Sequence, residues 1–288
     1  MAQSFTLASL PSAPPNLRRK VLVTGAAGNI GSYFAEHSHQ RYDLRLMVRE
    51  RHERKDELRK FGELVTGELG DLEGLKRICA GIDTIVHMAG DPSPTATWQE
   101  LLDANIVGTY NIFAAAKTAG VRRVIYASSI HAVSGYPPDY QVHTNDPVNP
   151  GDLYGVSKCF AEALARYMAE KEGVSAICLR IGGFQPTEPM KGEKGISMLD
   201  AWVSRRDLNQ LIEKCIDAEH IQFAIFHGLS DNRFKRLDIT DARELVGYAP
   251  QDDLTETNPQ VSALHLKDKV KSHSGIVDQG KSGTREET

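Results

Sequence analysis

Tyr154 and Lys158 stand four residues apart in "DLYGVSKCF" (Asp152–Phe160), a phenol and an ammonium whose types and spacing suggest proton handling. On a helix, residues i and i+4 share one face. The spacing alone leaves two readings open, a proton-passing pair or two surface side chains, and the choice depends on the chain upstream. There, "TGAAGNIG" sets Gly25, Gly28 and Gly31 between an apolar run, Lys20–Thr24, and a helical stretch over 29–41. Glycines at such a turn let the backbone approach a pyrophosphate, and a helix N-terminus offers free N–H groups and a favourable dipole. The spacing is G-x-x-G-x-x-G, which departs from the dinucleotide fingerprint G-x-G-x-x-G. Glycine-rich turns also close βα corners without any ligand, but the position in a first βα unit favours a nucleotide.

These residues need a scaffold, and the periodicity supplies one. Strands are expected at 20–24, 43–48, 63–69, 83–90, 121–129 and 175–181, with helices at 29–41, 98–119 and 154–171 between them. Gly120 stands where a C-cap belongs. Sustained strand–helix alternation implies an α/β fold with a doubly wound parallel sheet. Residues 20–181 are therefore read as a Rossmann dinucleotide-binding region and 182–265 as a small C-terminal cap completing the sheet. In that cap, Ser204 opens a helix with Asp207 as capping-box partner, and Leu208, Leu211, Ile212, Cys215 and Ile216 form its apolar face. Residues 1–19 and 266–288 are polar or Pro- and Ser-rich and read as tails.

Bulk properties narrow the function classes. A net charge of −4 gives no electrostatic case for nucleic acid or an anionic membrane. No apolar run approaches the roughly 18 residues of a membrane span. The cysteines Cys79, Cys159, Cys178 and Cys215 lack C-x-x-C spacing; they fit a reducing, cytoplasmic setting and imply no metal site.

The motifs "TGAAGNIG", "HMAG", "NIVGTYNIFAAA", "YASS" and "YGVSK" resemble, in order and spacing, those of the extended short-chain dehydrogenase/reductase family, over roughly residues 20–260. The segments "LRIG", "MLDAWVSRRDL" and "GLSDN…LVGYAPQDD" are similar to the branch of uronate dehydrogenases and related sugar dehydrogenases, including archaeal glucose-6-phosphate dehydrogenases. The resemblance implies a Ser129–Tyr154–Lys158 set. Tyr154 would be the general base, Lys158 would favour the phenolate and bind the nicotinamide ribose, and Ser129 would hydrogen-bond the reacting oxygen. It also implies cofactor contacts at Gly25, Gly28, Asn29, Ile30, Gly31, Asp71, Leu72, Ala89 and Ile181, and a cofactor or structural role for Asn105. The tip of the second strand should meet the adenosine ribose. Arg49 after Val48 leans toward NADP, whereas the branch implies NAD; Arg49 equally fits the charged stretch that follows it.

Substrate contacts are expected at Ser93, Ile130, His131 and Ser197. Two of these depart from the branch. Its "SSNH" is here "SSIH", so Ile130 replaces a polar contact while His131 is kept. Ser197 stands where the branch has a carboxylate-binding arginine, and a hydroxyl cannot offer that bidentate charged grip. Lys191, Lys194, Arg205 and Arg206 are the nearby alternatives. His87 reads as a core histidine.

The expected function is NAD(P)-dependent oxidation of a hydroxyl on a sugar, sugar phosphate or sugar acid, with a small carbohydrate as partner and a homodimer as the family's assembly. A nucleotide-sugar epimerase or dehydratase retaining its cofactor is the second reading, and a non-enzymatic dinucleotide sensor the third.

Overall fold

A computed structural model describes residues 18–50 and 55–264; most of the expected N-terminal tail and all of the expected C-terminal one lie outside the described residues. The strands are β1 (Lys20–Thr24), β2 (Asp43–Val48), β3 (Glu63–Thr66), β4 (Thr84–His87), β5 (Arg123–Ser129), β6 (Ser175–Ile181), β7 (Gly183–Phe184), β8 (Trp202–Val203) and β9 (Phe223–Gly228), the longer ones rich in apolar residues. Seven of them make one sheet in the order β3-β2-β1-β4-β5-β6-β9, parallel throughout. The chain winds outward from β1 to β3, then returns to β4 and winds the other way. That reversal between β1 and β4 opens a crevice at the strands' C-terminal ends, where doubly wound folds bind ligands.

Helices cover both faces. They are α1 (Asn29–Ser38), α2 (Lys55–Leu58), α3 (Leu72–Ile78), α4 (Trp98–Leu101), α5 (Gly108–Ala119), α6 (Leu153–Glu172), α7 (Glu193–Ile196), α8 (Arg205–Asp217), α9 (Thr240–Val246), α10 (Leu254–Thr257) and α11 (Pro259–Ser262). Successive strand residues face opposite sides: Val21 and Val23 join Phe34 of α1 and Leu208, Leu211 and Ile212 of α8. Leu22 instead joins Leu75 of α3, Ile112 and Phe113 of α5, and Ala161 and Ala165 of α6.

Local chemistry sets the helix ends. Gly120 and Gly173 close α5 and α6 in the left-handed conformation, at φ 68° and 77°, which a side chain would strain. The helix expected over 98–119 is interrupted by a π-helical turn, Leu102–Val107, between α4 and α5. The expected capping box of α8 is half formed. Ser204 Oγ accepts from Asp207 N, but the Asp207 carboxylate accepts from Ser230 Oγ and from the backbone of Gln251 and Asp252. Burial offers that carboxylate three donors from two distant loops, which outweigh one local N–H.

Candidate active site

The glycine turn follows β1 directly. Gly25 sits at φ +64°, and a Cβ there would lie 2.8 Å from Ala89 N; one on Gly31 would lie 2.4 Å from Gly25 O. No side chain caps α1 at Gly28, so its first-turn N–H groups remain for a ligand. Gly28, Asn29, Ile30 and Gly31 line a cavity of about 830 Å³, with Val48 and Arg49 at the tip of β2 and Met88 and Ala89 after β4. A glycine cradle, a bare helix N-terminus and an apolar wall suit the pyrophosphate and adenosine of a dinucleotide.

A second cavity, of about 590 Å³, adjoins the first through Ile30, Met88, Gly90, Asp91, Pro92 and Phe184, which line both. Ser129, Ile130, His131, Tyr154, Lys158 and Ser197 meet on its wall. Helix α6 brings Tyr154 and Lys158 there, and its start is set by Asp152, whose side chain accepts from Gly155 N. Tyr154 is buried; burial pushes its hydroxyl above its ordinary value, while a hydrogen bond with Ser129 pulls the other way. Lys158 donates to Ala127 O at 2.8 Å and Tyr126 Oη at 3.2 Å, with Nζ 5.2 Å from the Tyr154 ring centroid. Burial pushes the Lys158 ammonium down to about 8, while Cys178, Glu162 and Asp91 hold it up.

A brace stands behind these groups. Arg180 on β6 forks onto Glu162 at 2.9 and 2.8 Å, and Ser128 Oγ donates to Glu162 Oε1 at 2.6 Å. All three are buried. Glu162 lies one turn beyond Lys158, so the pair ties α6 to the tips of β5 and β6. On the cavity's rim, His131 Nδ1 lies 2.6 Å from Asp152 Oδ2, and the His131 ring stands edge-on to Tyr154 at 5.4 Å.

Comparison with known proteins agrees with this geometry. Residues 21–192 match the model of the NAD dependent epimerase/dehydratase family. The chain belongs to that family. Among family members, an NAD-dependent glucose-6-phosphate dehydrogenase from Haloferax volcanii is 36% identical over 82% of this chain and 94% of its own. A uronate dehydrogenase from Pseudomonas putida is 32% identical over 81% of this chain and 84% of its own. A mutant uronate dehydrogenase from Agrobacterium tumefaciens, solved complexed with NAD, superposes with a TM-score of 0.73 at 29% identity, covering 90% of this chain and 92% of that one.

Several expected contact residues lie away from the cavity wall expected of them. Asp71 and Leu72 do not line the dinucleotide cavity; Glu68 and Leu69 do. Strand β3 ends at Thr66 rather than at 69, so the tip comes three residues earlier. Asp71 caps α3 by accepting from Gly74 N at 2.9 Å. Asn105 lines neither cavity. It sits in the π-helical turn, accepts from Asp91 N, and donates to Asp91 O and Ser157 Oγ. Its work is to pin the loop after β4 against α6. Ser93 also misses both walls, which take Asp91 and Pro92 instead, because the Asp91 side chain turns the loop by accepting from Ser93 N. Ile181 and Lys158 line the second cavity rather than the first.

Of the four alternative cations, none lines that cavity. Lys191 pairs with Glu188, Lys194 donates to Gln185, Arg206 pairs with Asp252 and Arg205 lies over Tyr33. The wall instead contains Gln185, Asp200 and Arg236, which sequence reading missed because Arg236 arrives on a loop far along the chain. His87 is fully buried with Nδ1 2.7 Å from Thr24 Oγ1, a core histidine. No group of three or more His, Cys, Asp or Glu among the described residues is placed to hold a metal.

Proposed function

We propose that this chain is an NAD-dependent dehydrogenase that oxidises a hydroxyl of a sugar, sugar phosphate or sugar acid. The observation carrying this reading is the meeting of Ser129, Tyr154 and Lys158 on a cavity that opens into a glycine-cradled dinucleotide site. Relatives named for glucose 6-phosphate, uronate and L-arabinose oxidation support the substrate class. NAD, when bound, supplies the hydride acceptor.

The chain's own residues handle the proton. Ser129 holds the substrate oxygen beside Tyr154, whose hydroxyl, as phenolate, takes the proton of the substrate hydroxyl. Burial disfavours that phenolate, so the nearby Lys158 cation has to offset the cost. His131, held by Asp152, faces the same cavity and orients the sugar. Oxidation at the anomeric carbon would yield a lactone.

The test is NAD reduction followed at 340 nm over a panel of neutral and anionic sugars. Tyr154→Phe should lower kcat by about 100- to 10,000-fold, the span of general-base contributions, while still titrating with NAD. Undiminished turnover would falsify the mechanism.

Two finer readings belong to the same proposal. Arg49 lines the dinucleotide cavity at the tip of β2, where an arginine suits a 2′-phosphate, so NADP is accepted beside NAD. Trp98, Val107 and Tyr110 on the α4–α5 stretch, and Leu153, Val156, Phe160 and Tyr167 on α6, are exposed. They supply the apolar faces for a homodimer, which light scattering on the eluting protein would show as twice the chain mass.

A further inference from the structure

The second cavity contains a cation that neither the expected catalytic set nor the expected substrate contacts use. Arg236 lies on the loop between β9 and α9, and its backbone is held from both sides. Its N–H donates to Asp200 O at 3.0 Å, and its carbonyl accepts from Val142 N at 2.8 Å. The next residue, Leu237, is buried and bridges Val142. Both contacts hold the stretch of backbone that places Arg236 on the cavity wall.

Among the described residues the Arg236 side chain makes no hydrogen bond or ion pair. Its Nε is buried without a hydrogen-bond partner, and no carboxylate pairs with it among the described residues. Asp200 shares the cavity wall but meets Arg236 only through its backbone. Arg236 as a whole is half-buried, so its Nη atoms stay open to a partner, while its buried Nε–H lacks one, which is costly. An arginine with open donor positions on the wall of a substrate cavity is therefore suited to an anion that arrives with the substrate. The planar fork matches a carboxylate or a phosphate through two parallel N–H···O bonds.

Resting on the dehydrogenase reading above, we infer that Arg236 recognises an anionic group, carboxylate or phosphate, carried by the sugar. Ser197 and Gln185, on the same wall, add neutral hydrogen bonds. The cation at this cavity thus comes from the loop after β9 rather than from the segment that holds Ser197.

Calorimetric titration of the NADH-loaded protein, which cannot turn over, tests this with glucose, glucuronate and glucose 6-phosphate. The wild-type chain should bind at least one anionic sugar about ten- to a hundredfold more tightly than glucose, the worth of a charged hydrogen-bonded contact. Preference for glucuronate identifies a carboxylate and preference for glucose 6-phosphate a phosphate. In Arg236→Gln that preference should collapse, and Arg236→Lys, which keeps the charge without the fork, should retain part of it. Equal affinity for all three sugars in the wild type, or an unchanged preference in Arg236→Gln, overturns the assignment. If Arg236→Gln fails to fold, the wild-type preference and the Arg236→Lys variant still decide. An anion preference that depends on Arg236, in a protein that reduces no NAD with any sugar, would sink the dehydrogenase reading and leave this one standing.

Discussion

Asp152 holds His131 with one carboxylate oxygen and starts α6 with the other: Oδ2 lies 2.6 Å from His131 Nδ1, and Oδ1 accepts from Gly155 N at 2.7 Å. One side chain thus orients a cavity-wall imidazole and sets the first turn of the helix carrying Tyr154 and Lys158.

The two jobs separate on mutation. Asn is as good an N-cap as Asp, so Asp152→Asn should keep stability within a few tenths of a kcal/mol while lowering kcat/KM about tenfold, through loss of the charged hold on His131. Asp152→Ala should lose the cap as well, at about 1 kcal/mol. Urea denaturation and steady-state kinetics on both proteins check this; identical kinetics in all three would remove His131 from the site.

Alkaline conditions should favour oxidation. The base form of Tyr154 is its phenolate, and burial raises that group above the ordinary tyrosine value. In the acid limb kcat/KM should therefore rise about tenfold per pH unit. Lys158 loses its proton near 8, and with it the charge that favours the phenolate, so the rise should flatten there. A profile over pH 6–10 is the measurement, and activity that declines from pH 6 to 8 would contradict the assignment.

Cofactor choice should depend on Arg49. Arg49→Ala is expected to shift the ratio of NADP to NAD affinity about tenfold toward NAD, the worth of one charged hydrogen bond to phosphate. Fluorescence titration with both reduced cofactors reads that ratio directly.

Acid should unfold the protein through two buried histidines. Burial lowers His87 to about 3 and His227 to about 4. Both are neutral when folded, whereas in the unfolded chain they take up protons near pH 6.5. Between those limits the unfolded state binds more protons. Their contribution is therefore complete above pH 6.5 and falls below it by about 1.4 kcal/mol per pH unit for each histidine. Denaturation at pH 7.5, 6 and 5 should show this slope, and His227→Asn should make it shallower.

Much of the fold was legible because its signals are local. The runs at 20–24, 43–48 and 175–181 are strands over those same residues, since short apolar runs bounded by turn residues need no distant partner to be read. Gly120 as a C-cap and the apolar face of α8 follow from spacing within a turn or two. The interruption of the long helix at 102–107 was not legible. It follows from Asn105 reaching Asp91 and Ser157, residues on other elements.

The sequence by itself determined the doubly wound parallel fold and where the glycine turn, Tyr154 and Lys158 fall within it. Glycines, Tyr154 and Lys158 sit at fixed offsets from strand ends, and parallel winding brings all those ends to one edge of the sheet. Tertiary structure alone decided what lines the walls between them. Glu68 and Leu69, rather than Asp71 and Leu72, line the first cavity because strand β3 stops early, and Arg236 reaches the second cavity on a loop that Val142 and Asp200 clamp. Such placements depend on contacts between segments far apart in the chain, and residue spacing carries no record of them.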